Sequence, residues 1–560
     1  MTATLPAASP AFFRTSRSPL WFAMISSLWM ATVGNMVLWH NLFSLPEQAA
    51  NAEGILFAVG FAVLIACLNM LVMIPLAWRP LIKPVSVLLL LTAGFGAYFM
   101  MQYNIVIDGD MINNVLQTDV RETRDLLNWR MLVVVGIVAL LPTAFFWRIP
   151  VARAASVLGH LGRLAVAWVA ALVIFAMTLL ACYQPMASLM RNHHQIRYTI
   201  NPLTTVYSLV EVTVVHRLIK PRPFQDIGQD ATLGPAYADP AQKPPLMVLV
   251  LGETGRAGNF SLNGYDRDTN PLLAKDGVLS FHNVWSCGTS TATAVPCMYS
   301  HLGKVAYEAR DKDYATLMDV LQHAGLAVLW IDNQPAGCKG VCDRVPHVMT
   351  SGLKDPALCP RGECMDQIML RDLDRRIAEL PAERRAKGIV IAMHQMGSHG
   401  PAYSERSDAS TKKFLPECTT NVLQDCPHDQ LVNAYDNSIV YTDKFLHDAI
   451  GWLRTQSATH ATSLLYVADH GESLGENNLY LHGLPYSIAP DVQKHVPMIL
   501  WQSPEWQKRT GTSNACLSRQ LDERYSEDNY FHTVLGALQV RTGVYRPDWD
   551  ITHQCASAAH

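Results

Sequence analysis

The sequence has almost no net charge, and its first third has little charge of either sign. Its 44 Lys and Arg nearly balance 47 Asp and Glu, and the formal net charge of -3 excludes a strongly basic nucleic-acid-binding protein. Only 17 of the first 190 residues are charged, against 74 of the other 370. Since soluble domains carry about 25% charged residues, we expect a membrane domain followed by a separate polar domain.

Five uncharged apolar segments occupy the charge-poor part, and each approaches the ~20 residues that cross a bilayer. They lack ionisable groups apart from His40 near one end, which disfavours a transporter. Arg and Lys flank alternate ends, so the N-terminus is expected in the cytoplasm and everything after Met190 outside. The first segment is kept as a span rather than a cleaved signal peptide. The predicted spans are 18–46, 54–78, 84–107, 131–147 and 164–190.

The domain boundaries follow from these segments. We expect a transmembrane domain over residues 1–190, a connector over 191–244 and a soluble domain over 245–560. Within the connector, residues 201–215 have helical character and are predicted to lie along the membrane surface. Residues 220–244 are rich in Pro, Asp and Gly, which indicates a linker.

Most of the twelve cysteines form close pairs in the soluble part. Such an even set is typical of disulfides in an oxidising compartment. A four-thiolate zinc site built from the second and third pairs is the alternative, but the CxxC spacing of zinc sites is missing. Cys516 and Cys555 are a less certain pair. The close pairs are Cys287/Cys297, Cys338/Cys342, Cys359/Cys364 and Cys418/Cys426.

The soluble part alternates short apolar runs with helical stretches, which predicts a doubly wound α/β/α sandwich. The runs are nearly continuous in apolar residues, as in parallel strands that are covered on both faces. We therefore expect a mainly parallel sheet. The predicted strands are 246–251, 326–331, 389–393, 464–468 and 496–501.

Acids and histidines follow four of these strands directly. Glu253 follows the first strand, Asp332 the second, His394 the third and Asp469-His470 the fourth. Ligands of open α/β sheets bind at the carboxyl ends of the strands. Two carboxylates and an imidazole from separate strands suit zinc or manganese, so the sequence predicts a metal site there.

The nucleophile is expected in residues 286–297, where small hydroxyl residues precede a predicted helix start. The N–H groups at a helix N-terminus favour a phosphoryl group, and a metal ion lowers the pKa of a bound hydroxyl. The residues alone leave Thr289, Ser290, Thr291 and Thr293 open. A serine- and threonine-rich loop with only a structural role is the alternative.

Six long motifs resemble the lipid A phosphoethanolamine transferases, the colistin-resistance family within the alkaline phosphatase superfamily. The resemblance covers most of the chain, including five spans before a soluble domain. It implies an alkaline phosphatase/sulfatase-like fold and a zinc-dependent phosphoethanolamine transferase. The motifs are GETGRAGNFSLNGYDRDTNP (252–271), NVWSCGTSTATAVPCMYS (283–300), CKGVCDRV (338–345), HQMGSHGPAY (394–403), NAYDNSIVYTD (433–443) and DHGESLGEN (469–477).

The resemblance also implies the roles of site residues. Thr291 is the implied nucleophile. His394, His399 and His482 are implied to approach the phosphate or a second zinc ion, and the family disulfides map to the four close pairs. The implied ligands of one firmly bound zinc ion are Glu253, Thr291, Asp469 and His470.

Lys339 is the implied cation for the phosphoethanolamine phosphate. Asn114, Thr118 and Glu122 have i, i+4, i+8 spacing and share one face of a helix. The resemblance assigns this face to the ethanolamine, whereas the residues alone favour an ordinary solvated helix. The family has Ser where this chain has Ala336, so we expect weaker donor binding or an altered geometry.

The implied reaction moves phosphoethanolamine from phosphatidylethanolamine to a phosphate of lipid A through a covalent threonine intermediate, with diacylglycerol released. We expect a monomer in the bacterial inner membrane, with its catalytic domain in the periplasm, and resistance to polymyxins as a consequence. The alternatives are transfer to a heptose of the lipopolysaccharide core and a related phosphoglycerol transferase. A sulfatase is disfavoured, because the C/S-x-P-x-R pattern is missing around Thr291.

Overall fold

The computed structural model describes residues 15–45, 52–118, 123–124, 126–192, 194–214, 222–335, 337–360 and 363–556. The chain divides into two compact units, one of residues 1–112 with 127–218 and the other of residues 113–126 with 219–560. Among the described residues, five apolar helical segments are long enough to cross a membrane, which confirms the predicted number. They are Pro19–Phe43, Glu53–Leu76, Ile82–Tyr103, Trp129–Arg148 and Val157–Ala181.

The fifth segment differs from the prediction at both ends. It begins at Val157 because the Ser156 side chain caps it by accepting a hydrogen bond from the Gly159 N–H. Arg163 therefore lies inside the helix, although its charge suggested a boundary. The helix ends at Ala181, and a separate helix follows over Tyr183–Asn192.

Three other segments are not regular α-helices throughout. The first contains a 3-10 turn at Val33–Asn35. The second ends in a 3-10 turn at Ile74–Leu76. The fourth contains a π-helical turn at Gly136–Leu140, just before Pro142, which has no N–H to donate to the helix. Sequence periodicity does not reveal such local changes of helical pitch.

Two buried asparagines join distant parts of the membrane unit. The Asn201 N–H donates to Asn35 Oδ1 (2.8 Å), and Asn201 Nδ2 donates to the carbonyls of Ala93 (2.6 Å) and Gly34 (3.0 Å). Both asparagines are 1% exposed. These bonds join residues that are far apart in the chain, in an apolar interior where water does not readily replace them.

We expect Asn201→Ala to destabilise the membrane unit by about 1–3 kcal/mol, because the two hydrogen bonds that its buried side chain donates are lost. Thermal unfolding of the detergent-purified protein measures the loss. Thr92→Ala is the matched control, since Thr92 Oγ1 bonds only to Leu88 within its own helix among the hydrogen bonds described here. Equal unfolding midpoints for the two variants would contradict this role of Asn201.

An eight-stranded, mostly parallel sheet forms the centre of the second unit, which confirms the predicted fold class. Its strands, numbered in chain order, are β1 (Pro245–Gly252), β2 (Leu279–Trp285), β3 (Ala327–Asp332), β4 (His347–Met349), β5 (Ile389–His394), β6 (Ala461–Ala468), β7 (His495–Gln502) and β8 (Tyr525–Ser526). Their spatial order in the sheet is β8-β2-β7-β6-β1-β5-β3-β4. Strands β1, β3, β5 and β6 are buried along their whole length, so both faces of the sheet are covered there.

The register of the parallel strands aligns their carboxyl ends at one edge. Gly252 pairs with Ala468, Leu251 with His394, and Asp332 with His394. Residues that directly follow these strands therefore meet at this edge.

All five predicted strands exist, but the sheet differs from the prediction in two respects. Strand β7 is antiparallel to both β6 and β2. The segment from β6 to β7 contains only 3-10 turns and a two-residue hairpin, Ser473–Leu474 with Tyr480–Leu481, so the chain returns without a helical crossover. Strands β2, β4 and β8 were not predicted. The half-buried His282 and Asn283 interrupt the apolar pattern of β2, and β4 and β8 are only three and two residues long.

The α-helices of the second unit are mostly short, and His428–Gln456 is the long exception. In the first unit, further helices or parts of spans are Pro19–Thr32, Met36–Phe43, Ala52–Met73, Trp129–Val135, Leu141–Arg148, His194–Tyr198 and Leu203–Val210, and Gly109–Gln117 crosses the division between the units. In the second unit they are Leu273–Asp276, Thr291–Met298, Lys304–Glu308, Leu317–His323, Leu373–Ala378, Ala382–Arg385, Pro504–Thr510, Asn514–Leu517 and Tyr530–Ala537.

Candidate active site

Three predicted ligands converge at the carboxyl edge of the sheet. Glu253 follows β1, and Asp469 and His470 follow β6. One ligand atom from each lies within 4.8 Å of the others, and no side chain of the three is more than 1% exposed. The parallel register of β1 and β6 thus produces a buried cluster of two carboxylates and an imidazole.

Thr291 is the hydroxyl residue that faces this cluster. It is the first residue of the helix Thr291–Met298, and its Oγ1 lies 3.1 Å from both carboxylate oxygens of Glu253. The same oxygen lies 3.3 Å from His470 Nε2. Thr289 instead donates to the Leu484 carbonyl, and Ser290 bonds to Thr293. Of the four hydroxyls left open by the sequence, the geometry favours Thr291.

The cluster fits a divalent cation. Asp469 Oδ2 is buried and has no hydrogen-bond partner. Burial and the nearby Glu253 charge raise the pKa of Asp469. Burial opposes the ionisation of Glu253, but the neighbouring imidazoles of His394 and His470 hold its pKa well below the usual value. A cation would offset the negative charge of both carboxylates. The ligand atoms are carboxylate oxygens and an imidazole nitrogen, a combination that binds zinc or manganese.

His394 lies behind Glu253 and is fully buried. Its Nδ1 is 3.3 Å from Asp332 Oδ2, and its Nε2 is 3.8 Å from Glu253 Oε2. Burial lowers the pKa of His394, but the two carboxylates outweigh this effect and raise it to about 10. Gln334 Nε2 donates to Glu253 Oε2 (3.0 Å). These neighbours fix the orientation of the Glu253 carboxylate.

His482 and His399 lie on the other side of His470. The ring of His482 is 4.2 Å from that of His470 and 5.6 Å from that of His399. Glu472, which is fully buried, lies 3.4 Å from His482 Nδ1. A carboxylate at this nitrogen orients the imidazole and leaves Nε2 available for proton transfer.

The turn that carries Glu253 depends on a tyrosine from the long helix. Thr254 has a positive φ of 58°, which costs energy for a β-branched residue. Tyr435 Oη donates to the Thr254 carbonyl (2.7 Å) and accepts from the Arg256 N–H (2.9 Å). This pair of bonds stabilises the turn and thereby the position of Glu253.

We expect Tyr435→Phe to lower stability by about 1–3 kcal/mol and to weaken metal binding, because a carbonyl and an N–H of this turn lose their partner. Thermal unfolding and a metal titration measure the two effects. Tyr530→Phe is the control, since the buried Tyr530 bonds to Tyr299 and not to the Glu253 turn. Unchanged metal affinity in Tyr435→Phe would refute this role.

The predicted donor-binding residues are only partly described. Lys339 is half-buried and has a positive φ of 52°, in the loop closed by the Cys338–Cys342 disulfide. Asn114 lies in the helix Gly109–Gln117, and Thr118 follows the end of this helix and donates to the Asn114 carbonyl (2.8 Å). Glu122 and Ala336 lie outside the described residues. The roles of these residues remain predictions.

The cysteines are paired as disulfides rather than arranged as a zinc site. The Cys287–Cys297 bond ties the loop before Thr291 to the helix that Thr291 begins. The structure also joins Cys516 to Cys555, the less certain pair. The other three bonds are Cys338–Cys342, Cys359–Cys364 and Cys418–Cys426.

Cys426 pairs with Cys418 at the edge of the core. It is half-buried at the edge of the core, whereas its partner Cys418 is buried. Its N–H donates to the Leu423 carbonyl (3.2 Å), and the disulfide closes the segment that leads into the helix His428–Gln456. The pairing of Cys426 with Cys418 is as predicted, and the bond holds this segment.

Several residues of the site were not singled out as site residues from the sequence. Asp332 and Glu472 stand in the polar segments after strands, and this position was a usable signal. Gln334 and Tyr435 carry no such signal, because each acts through a contact between segments far apart in the chain.

Comparisons with known proteins identify the family. The family model described as Sulfatase matches residues 245–540, and the model described as Phosphoethanolamine transferase EptA/EptB matches residues 64–217. Phosphoethanolamine transferase EptA of Escherichia coli (strain K12) is 41% identical over 476 residues, which cover 84% of this chain and 85% of the relative. Phosphatidylethanolamine transferase Mcr-1 of Escherichia coli is 36% identical over 508 residues, 89% of this chain and 92% of the relative.

A solved structure extends the likeness to both units. The integral membrane protein lipooligosaccharide phosphoethanolamine transferase A (EptA) from Neisseria meningitidis has a TM-score of 0.88 and 32% sequence identity. The match covers 97% of this chain and 100% of that chain. With its membrane helices, its sulfatase-like sheet and these relatives, the chain belongs to the lipid A phosphoethanolamine transferase family of the alkaline phosphatase superfamily.

Proposed function

We propose that this enzyme transfers phosphoethanolamine from phosphatidylethanolamine to a phosphate of lipid A and releases diacylglycerol. One observation carries the proposal: Thr291 Oγ1, at the start of a helix, lies 3.1 Å from both oxygens of Glu253 and 3.3 Å from His470. A hydroxyl in this setting is suited to attack phosphorus, since the helix N-terminus favours a phosphoryl group.

In the first step, Thr291 Oγ1 attacks the phosphorus of phosphatidylethanolamine. A bond forms between this oxygen and phosphorus, and the bond from phosphorus to the diacylglycerol oxygen breaks. The hydroxyl proton passes to Glu253, whose two carboxylate oxygens both contact Thr291 Oγ1. His399 or His482 protonates the departing diacylglycerol oxygen.

In the second step, a phosphate oxygen of lipid A attacks the same phosphorus. The bond from phosphorus to Thr291 breaks, and the threonine oxygen takes back the proton held by Glu253. The proton of the attacking phosphate hydroxyl passes to the histidine that protonated diacylglycerol. Lys339 balances charge on the equatorial phosphate oxygens, and Asn114, Thr118 and Glu122 hold the ethanolamine group.

The metal of this proposal is zinc, held by Glu253, Asp469, His470 and Thr291. When bound, zinc lowers the pKa of the threonine hydroxyl and offsets negative charge on the phosphoryl group. A second zinc ion would use His399 and His482, whose rings are 5.6 Å apart. His394 acts from behind Glu253 by holding that carboxylate in place.

In this proposal the enzyme is a monomer in the inner membrane. Residues 245–560 lie in the periplasm, and residues 191–244 form the connector. Five disulfides in this part support an oxidising compartment. Phosphoethanolamine makes lipid A less anionic, so expression is expected to raise resistance to cationic polymyxins.

Mass spectrometry of lipid A from cells with and without the gene tests this function. We expect a species heavier by one phosphoethanolamine group in cells that express the enzyme, and no such species with Thr291→Ala. Phosphoethanolamine on the core heptose with unmodified lipid A would support the core-heptose alternative, and added phosphoglycerol would support the phosphoglycerol transferase.

A further inference from the structure

Thr289 forms two hydrogen bonds that the proposed chemistry leaves unexplained. Its Oγ1 donates to the Leu484 carbonyl (2.6 Å), and its own carbonyl accepts the Gly483 N–H (2.8 Å). Thr289 is 5% exposed, so water does not replace these bonds easily. Both partners directly follow His482 in the chain, and Thr289 lies two residues before Thr291. The pair of bonds therefore joins the loop of the nucleophile to the loop of a histidine.

Each of these loops is also held by contacts that do not involve Thr289. The nucleophile loop is held by the Cys287–Cys297 disulfide and by the Cys287 N–H, which donates to the buried Glu527 (2.6 Å). The histidine loop is held by Gln493, whose Nε2 donates to the Leu481 carbonyl (3.1 Å). Two well-supported loops meet at Thr289, so this contact sets their spacing.

The spacing matters because both loops carry groups that contact His470. Thr291 Oγ1 lies 3.3 Å from His470 Nε2, and the His482 ring lies 4.2 Å from the His470 ring. Proton transfer needs donor and acceptor at about 2.6–3.2 Å, and an error of about 1 Å can cost about 100-fold in rate.

We infer that Thr289 is a positioning residue, which fixes the loop of His482 against the loop of Thr291 through its hydroxyl and its carbonyl. This inference rests on the proposed function, in which His399 or His482 transfers a proton, and it assigns that transfer to His482. Thr289 itself touches no reacting atom in this account, and its effect on catalysis passes through His482.

The experiment is a double-mutant cycle in the full-length, zinc-loaded enzyme. Thr289→Val keeps the branched shape but removes the hydroxyl donor, and Thr289→Ser keeps the donor. We expect Thr289→Val to lower kcat by about 10- to 100-fold at unchanged KM for phosphatidylethanolamine and unchanged zinc content. Thr289→Ser is expected to restore most of kcat. Thr293→Val is the control for loss of a nearby threonine hydroxyl and should keep kcat.

The cycle separates positioning from a general structural role. If Thr289 acts through His482, then Thr289→Val lowers kcat no further in a His482→Ala background. Either of two results would overturn the positioning role and leave the proposed function standing. In the first, the losses of kcat in the two single variants multiply in the double variant. In the second, Thr289→Val keeps full activity while His482→Ala is inactive. Full activity of His482→Ala would overturn both this role and the proposed proton transfer by His482. Thr289→Ala removes the same donor and replaces the valine variant if that variant does not fold.

Discussion

Replacing Thr291 by alanine is expected to lower phosphoethanolamine transfer by about 10,000-fold or more, because the attacking oxygen is removed. The remaining cluster still binds metal through Glu253, Asp469 and His470, so the variant should retain its fold and most of its metal. Release of diacylglycerol from phosphatidylethanolamine by the purified enzyme measures the loss. Thr291→Ser is the matched variant, and it should keep measurable activity because it retains a hydroxyl at the same backbone position.

A substantial rate in Thr291→Ala would contradict this assignment. Ser290 and Thr293, the neighbouring hydroxyl residues of the same segment, would then be the next candidates. A changed unfolding midpoint or metal content would show that Thr291→Ala is misfolded. The activity of Thr291→Ser would then decide whether Thr291 is the nucleophile.

Replacing Asp469 by asparagine is expected to weaken metal binding by at least about 100-fold and to lower activity at least in proportion. Asp469 Oδ1 accepts the N–H groups of Thr254 (3.1 Å) and His470 (2.8 Å), and an asparagine oxygen can keep both bonds. The unpartnered Oδ2 becomes an amide nitrogen, which cannot bind a cation. The variant therefore removes a ligand with little change to the turn.

Elemental analysis and zinc titration of the purified protein measure this effect. Asp443→Asn is the control, since Asp443 is an equally buried carboxylate that accepts from the Leu272 and Leu273 N–H groups, away from the cluster. Wild-type zinc affinity in Asp469→Asn, or an equal loss in Asp443→Asn, would show that Asp469 is not a metal ligand.

The sequence predicted those parts of the molecule that depend on local pattern. Apolar runs located the five main strands, and the residues just after them located Glu253, Asp469 and His470. The direction of β7 was not predictable, because continuous burial looks the same in parallel and antiparallel strands. The start of the fifth span was placed wrongly, since Arg163 lies within the helix that Ser156 caps.

Long-range contacts set the rest of the site. Tyr435 supports the Glu253 turn from a helix that begins 175 positions later in the chain, and no sequence pattern indicates this contact. The choice of the nucleophile among four hydroxyl residues likewise required the structure, because composition does not show which of them faces Glu253. Thr289 and Thr291 differ only in the partners that the fold provides.

The most direct test of the account is mass spectrometry of the zinc-loaded enzyme, quenched after incubation with phosphatidylethanolamine and before any acceptor is added. We predict one phosphoethanolamine group on the peptide that contains Thr291, and its loss when lipid A is added. Diacylglycerol release without a covalent adduct, or an adduct on another residue, would contradict the central claim that Thr291 is the nucleophile.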